Sequence, residues 1–237
     1  MESRREELVP GTRVLVIGAT GMVGGLVLRF ALDRPDVASV TVIGRRLVEL
    51  THPKLTQVLH SDLGDYAAVA DALADQDVAF FCLGVYTSAV SDAELRRITV
   101  DYVAAFADAL HSRSPGATVC LLGGQGADQT ERSRVPFARY KGAAEKALVR
   151  AGFARVHLFR PGYIYPVTPR REPNLGYRLL RAIYPLASRI YRNAGVTSEE
   201  LARAMVQVGL RQGAAAGDLV IEHREIRAIA GSHHHDA

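Results

Sequence analysis

Seven residues near the start of the chain constrain its fold more than any others. Gly18-Ala19-Thr20-Gly21-Met22-Val23-Gly24 has the spacing G-x-x-G-x-x-G. It follows the uninterrupted apolar run Val14-Leu15-Val16-Ile17 and opens a helical pattern running from Met22 to about Asp33. Strand, glycine turn and helix in that order are the context in which such a pattern carries weight. Gly18 allows the tight turn, Gly21 lets the backbone approach a pyrophosphate, and Gly24 lets the helix pack close to the sheet. The helix N-terminus then offers free N–H groups and a partial positive charge to phosphates. Thr20, Met22 and Val23 belong to the same expected cofactor-binding turn. A plain strand–helix turn with tolerated glycines is the alternative.

The rest of the chain repeats the alternation. Short apolar segments at Ser39–Ile43, Leu55–Leu59, Asp77–Leu83, Ala117–Leu122, Arg155–Phe159 and Leu219–Ile221 read as strands. Helical patterns separate them at Tyr66–Ala74, from Ser91 to about His111, and at Pro136–Arg150, Ser198–Arg211 and Arg224–Ala230. Ser91 with Glu94 and Ser198 with its following glutamates are expected N-caps. Gly152 is the expected stop after Arg150. The alternation predicts an α/β fold, a doubly wound Rossmann-type parallel sheet of about seven strands covered on both faces.

The 237 residues fit one domain. Within it, 12–160 is the expected cofactor-binding core, 161–197 a substrate or lid segment, and 198–230 a returning helix, strand and helix. Tyr163–Ala194 alone departs from the alternation, and is expected to form a small C-terminal lobe over the carboxyl edge of the sheet. Within it Asn174–Tyr191 reads as a helix that Pro185 interrupts.

Charge excludes little and suggests little. The net charge of +4, from 29 basic and 25 acidic residues, does not argue for a nucleic-acid partner. Six arginines gather at 170, 171, 178, 181, 189 and 192. A basic amphipathic helix over Asn174–Arg192 would suit an anionic bilayer surface, but a lid with solvated arginines is the preferred reading. Cys82 and Cys120 sit in apolar runs and read as buried free thiols. No Cys/His spacing suggests a metal site, and His233–His235 reads as a tail. Met1–Pro10 is charged and lacks an apolar leader core, so the sequence suggests a cytoplasmic protein.

The end of the second strand bears on the cofactor. An NAD site usually has a carboxylate there for the ribose 2′-hydroxyl. Here the strand ends Ile43-Gly44-Arg45-Arg46. An arginine pairs well with a 2′-phosphate, so the sequence favours NADP(H) over NAD(H); two solvated surface charges are the alternative. Asp62, with Leu63 after it, follows the third strand, where a carboxylate would meet an adenine amine or simply cap a turn. Leu83-Gly84-Val85 closes the fourth strand, and Gly84 either admits the cofactor or serves as a turn glycine.

The motifs GATGMVG, VIGRR, SDL, FCLG, VDYVAAFA, LLGGQGAD, KGAAEKAL and FRPG occur in that order. Together they resemble the atypical short-chain dehydrogenase/reductases, most of all the oxidoreductases related to the HIV Tat-interacting protein, over about residues 12–230. The resemblance implies NADP(H) on Gly18, Gly21 and Gly24, with Arg45 at the 2′-phosphate, Asp62 at the adenine and Gly84 at the ribose. It also implies a small-molecule substrate in a cleft near Tyr163 to Ala194, and leaves a homodimer or a protein partner open.

The departures from that family bear on chemistry. Its members use a Tyr-x-x-x-Lys pair on the helix after the fifth strand and a serine at that strand's end. Lys141 fills the lysine position, but Phe137 stands where the tyrosine belongs, and Leu122-Gly123-Gly124-Gln125 offers no hydroxyl. Tyr140 is offset by three residues, and either stands in as an acid or packs as an ordinary tyrosine. Tyr163 and Tyr165 are further candidates. A positioned general acid is worth about 10²–10⁴ in rate. Two readings follow: an NADP-dependent oxidoreductase acting on a small or apolar carbonyl with a departed Ser/Tyr pair, or a non-catalytic protein that senses NADP(H) or serves as a scaffold.

Overall fold

The computed structural model describes residues 11–167, 195–211 and 217–231. Seven parallel strands form the central sheet in the order β3-β2-β1-β4-β5-β6-β9. These are β1 (Thr12–Ile17), β2 (Val37–Gly44), β3 (Leu55–Leu59), β4 (Val78–Phe81), β5 (Thr118–Leu122), β6 (Arg155–Arg160) and β9 (Gly217–Glu222). A short parallel pair, β7 (Ile164–Tyr165) and β8 (Val196–Thr197), stands apart. The predicted doubly wound α/β sheet is the observed one.

Alternation along β1 shows why the sheet is covered on both faces. Val14 and Val16 point to one core, with Val27, Leu28 and Ala31 of α1 (Met22–Leu32). Leu201 and Met205 of α5 (Ser198–Gly209) and Ile226 of α6 (His223–Gly231) join that side. Leu15 and Ile17 point to the other core, with Phe106 and Leu110 of α3 (Tyr102–Arg113) and Leu148 of α4 (Pro136–Arg150). A strand buried on both faces has no polar position to spare, hence the continuous apolar run. Each fully buried Leu, Ile or Phe contributes roughly 1.5–3 kcal/mol.

One expectation is refined and two are corrected. The helix after Ser91 runs without a break to Arg113, but α2 (Asp92–Arg96) joins α3 through a π turn, Arg97–Asp101. Ser91 does cap α2, accepting from Glu94 N at 3.2 Å, but the Glu94 carboxylate turns to Arg97 instead of closing a capping box. The cap of α5 is Thr197, one residue before Ser198. Thr197 Oγ1 accepts from Glu200 N, and Glu200 Oε2 accepts from Thr197 N. Ser198 is buried inside the helix, and its hydroxyl accepts from Val167 N at 3.2 Å. Gly152 stops α4 as expected, with φ +88°.

Cys82 and Cys120 are buried and free, as read from the sequence, and burial pushes the Cys82 thiol up to about 12. No helix among the described residues is long and apolar enough to cross a membrane. The expected lid helix Asn174–Tyr191, the arginine cluster 170–192 and His233–His235 lie outside the described residues.

Candidate cofactor and substrate cleft

Strand order reverses between β1 and β4, so their carboxyl ends part and leave a crevice, the place where such sheets bind ligands. A cleft of about 490 Å³ opens there. Gly21, Met22 and Val23 line it from the glycine turn, and Cys82 to Thr87 from the end of β4. Leu122, Gly123 and Gly124 come from the end of β5, Phe137 and Lys141 from α4, and Pro161 to Ile164 with Pro166 from beyond β6.

The glycines of the turn have separate physical roles. Gly18 holds φ +87°, and a side chain there would begin 2.8 Å from the Cys82 carbonyl carbon. A Cβ on Gly24 would run into the Gly18 carbonyl oxygen and approach Cys82 Cβ to 3.1 Å, so this glycine seats α1 against β1 and β4. Gly21 is exposed at the cleft and caps α1 without a side-chain hydrogen bond. The first-turn N–H groups are therefore not spent on a cap, and this cradle fits a dinucleotide phosphate. Thr20, also in the turn, is exposed.

Arg45 and Arg46 are exposed just past the end of β2, whose Ile43 pairs with Ile17 of β1. They stand level with the glycine turn, beside the crevice but not in its lining. Asp62 and Leu63 do not line it either. Asp62 Oδ1 accepts from Gly64 N at 2.9 Å in a turn, and Leu63 is buried in the core. Leu83, Gly84 and Val85 do line it, and a side chain on Gly84 would meet nothing within 4 Å.

At the reacting end, Phe137 and Gly124 fit each other. A Cβ on Gly124 would stand 2.7 Å from Phe137 Cζ, so the ring occupies the room a side chain would need. Lys141, one turn further along α4, is half-buried and donates to the Leu122 carbonyl at 3.2 Å. Burial pushes its ammonium down to about 8, against a smaller upward pull from Glu145. Tyr140 faces elsewhere. Its hydroxyl donates to Asp92 Oδ2 at 2.7 Å, tying α4 to α2. The expectation of Tyr140 as a stand-in acid is corrected on that ground: the offset of three residues turns the ring away from the cleft. Tyr163 lines the cleft and Tyr165 does not.

Two features of the site carry little signal in the sequence. Tyr86 and Thr87 extend the lining beyond Val85; their place just past a strand's carboxyl end was the available signal. The second is a buried ion pair under the cleft floor. Glu145, fully buried, accepts from Arg160 Nε at 2.9 Å, from Arg160 Nη2 at 2.6 Å and from Gln129 Nε2 at 2.9 Å. It joins KG-x-x-E on α4 to F-R-P-G at the end of β6, and a side chain on Gly123 would press on it at 3.2 Å from Oε1. Only the order of the motifs, not their contact, was readable in sequence.

A parallel sheet with a glycine turn at its switch point and a lysine facing that turn across the crevice defines a Rossmann-type dinucleotide-binding protein. The chain belongs to the NAD(P)H-binding family, whose model matches residues 18–208. It is 29% identical over 228 residues to the mitochondrial protein fmp52 of Aspergillus clavatus, covering 92% of this chain and 95% of that protein. It is 27% identical over 187 residues to the rat protein HTATIP2, covering 78% of this chain and 75% of the relative. The enzyme WbmF of Bordetella bronchiseptica, solved with NAD+, has the same fold: TM-score 0.66 and 16% identity, covering 93% of this chain and 76% of that one. The expected cytoplasmic place is overturned, since the matched fungal relatives are named as mitochondrial proteins.

Proposed function

We propose that the chain is an NADP(H)-dependent oxidoreductase acting on a small or apolar carbonyl compound. One observation carries the reading: the open glycine turn and Lys141 face one cleft, while the adjoining end of β2 presents Arg45 and Arg46 and no carboxylate. The backbone from Gly18 to Val23 would hold the pyrophosphate, and Arg45 the 2′-phosphate. Lys141 would meet the nicotinamide ribose, with Leu83, Gly84 and Val85 along the cofactor's flank. When bound, the cofactor supplies or takes the hydride. The chain's own part is to orient the substrate between Phe137, Met22, Val85 and Ile164 and to keep water from the reacting carbon.

A second reading, cofactor binding without turnover, is favoured by the Phe137–Gly124 contact, which replaces both hydroxyls of the usual pair. Titration with NADPH and with NADH, followed by nicotinamide fluorescence, tests the cofactor assignment. Tight NADPH binding with weaker NADH binding is expected, and Arg45→Ala should reduce the NADPH affinity alone. Equal affinities would remove the NADP preference, and binding of neither would remove the function. Turnover of a carbonyl panel then separates the two readings.

A further inference from the structure

We propose that Lys141 itself moves the proton at the substrate oxygen, in place of the hydroxyl that residue 137 lacks. This rests on the oxidoreductase reading above and deepens it. Geometry carries it in three steps.

Phe137 Cζ, the ring carbon that would bear a hydroxyl, lies 2.7 Å from the point where a Gly124 side chain would begin. The ring thus closes the space of a side chain at position 124, and neither residue carries a proton to give.

Lys141 lies one helical turn further on, on the same face of α4 as Phe137, and lines the same cleft. Its ammonium has three donors, and its one hydrogen bond among the described residues is to the Leu122 carbonyl, at 3.2 Å. It stands at the cleft with donors unspent.

Glu145, the next turn on, would ordinarily hold such an ammonium in an i,i+4 pair. Its oxygens instead take Arg160 and Gln129, which leaves Lys141 free for the cleft. Among the described residues, the titratable groups that act on Lys141 or share its cleft are Glu145 on its own helix, Arg160 from β6 behind that carboxylate, Cys82 and Tyr86 from the β4 side, and Tyr163 from beyond β6. Burial outweighs the pull of Glu145 and brings the amine to about 8, within reach of proton exchange near neutral pH.

In the reducing direction, the cofactor when bound would supply the hydride to the carbonyl carbon, which would leave the C=O π pair on oxygen. That oxygen takes a proton from Lys141 Nζ. The neutral amine recovers a proton from water, so each alcohol formed consumes one solvent proton.

Two measurements on the full chain test the assignment. In the first, lysines are reductively methylated with carbon-13 formaldehyde and titrated by NMR without cofactor, the Lys141 signal being identified by its loss in Lys141→Arg. It is expected to titrate near 8 while exposed lysines titrate near about 10.4. In the second, turnover of benzaldehyde and acetophenone with NADPH is followed across pH. Lys141→Arg keeps the cation and cannot release it as a proton. It is expected to melt like the parent, to lose kcat at saturating NADPH by about 10²–10⁴ and to lose the pH limb near 8. Three results would overturn the proposal and leave the oxidoreductase standing. They are Lys141→Arg turning over like the parent, Lys141 titrating with the exposed lysines, and a pH limb that disappears in Tyr86→Phe or Tyr163→Phe instead. A parent that binds NADPH and reduces neither carbonyl defeats the oxidoreductase reading and this one with it.

Discussion

Glu145 and Arg160 meet in a bidentate pair beneath the cleft floor, Oε1 to Nε at 2.9 Å and Oε2 to Nη2 at 2.6 Å. Fifteen residues separate them in sequence. The pair fastens the helix bearing Lys141 to the strand end that forms the cleft's far wall. Glu222 extends it, with Arg160 Nη1 at 3.2 Å from its carboxylate.

Removing one partner strands the other. Arg160→Met leaves the Glu145 carboxylate buried without its counter-charge, and is expected to lower stability by about 3–5 kcal/mol. Urea denaturation measures it. The double variant Glu145→Leu, Arg160→Met is expected to recover most of that loss, because two apolar groups of similar volume leave no buried charge. A double variant as unstable as the single one would contradict this account.

Gly24 and Gly84 predict opposite outcomes for the same substitution. Gly24→Ala drives a methyl group into the Gly18 carbonyl and toward Cys82, and is expected to lose about 1–3 kcal/mol and most NADPH binding. Gly84→Ala meets open space and is expected to change stability by no more than about 0.5 kcal/mol. Thermal melting and nicotinamide fluorescence read both. Equal effects would mean that the close seating of α1 is not what Gly24 provides.

A serine hydroxyl introduced at position 124 by itself is not accommodated. Gly124→Ser places its Cβ against the Phe137 ring and should destabilise by about 1–3 kcal/mol. Combined with Phe137→Ala it should cost less than the sum of the two single changes, a coupling of about 0.5–3 kcal/mol. Additive losses would show that the two residues do not share the space.

Tyr140→Phe separates structure from chemistry. It deletes the bond to Asp92 and is expected to cost about 0.5–1.5 kcal/mol with no change in NADPH affinity or turnover. A collapse of turnover in a well-folded Tyr140→Phe would return the acid role to that residue.

Lys141 predicts a pH dependence of stability. Its folded pKa, about 8, lies below its unfolded value of 10.5. In that window the unfolded chain binds the extra proton, so stability rises with pH. Below about 8 both states are protonated, and the folded state bears the full cost of a buried cation. Lys141→Met should therefore be more stable than the parent at neutral pH, by a few kcal/mol at most, and the difference should shrink as pH rises toward 10.5. Denaturation midpoints of both proteins at several pH values check the sign.

Much of the fold was legible because it is local. Leu55–Leu59 and Pro136–Arg150 are read from sequence with the bounds they have in the structure, since a short β-prone segment between turns and a proline-led amphipathic stretch are local signals. The cap of α5 was misplaced by one residue because Thr197 and Ser198 are chemically equivalent caps, and only the packing of Ser198 against Val167 separates them. The π turn at Arg97–Asp101 leaves no mark in a periodicity that continues across it.

The order of short apolar runs, the glycine spacing and the helix starts determined by themselves that this chain winds a parallel sheet with a phosphate-binding turn at its switch point. Local hydrophobic period and turn chemistry suffice for that. They also showed that residue 137 carries no hydroxyl. Which way Tyr140 faces, how Phe137 fills the gap left by Gly124, and why Glu145 does not hold Lys141 were decided only by the tertiary structure. Each depends on a partner brought close by the folding of distant strands, and a sequence records which face a residue occupies, not what meets it there.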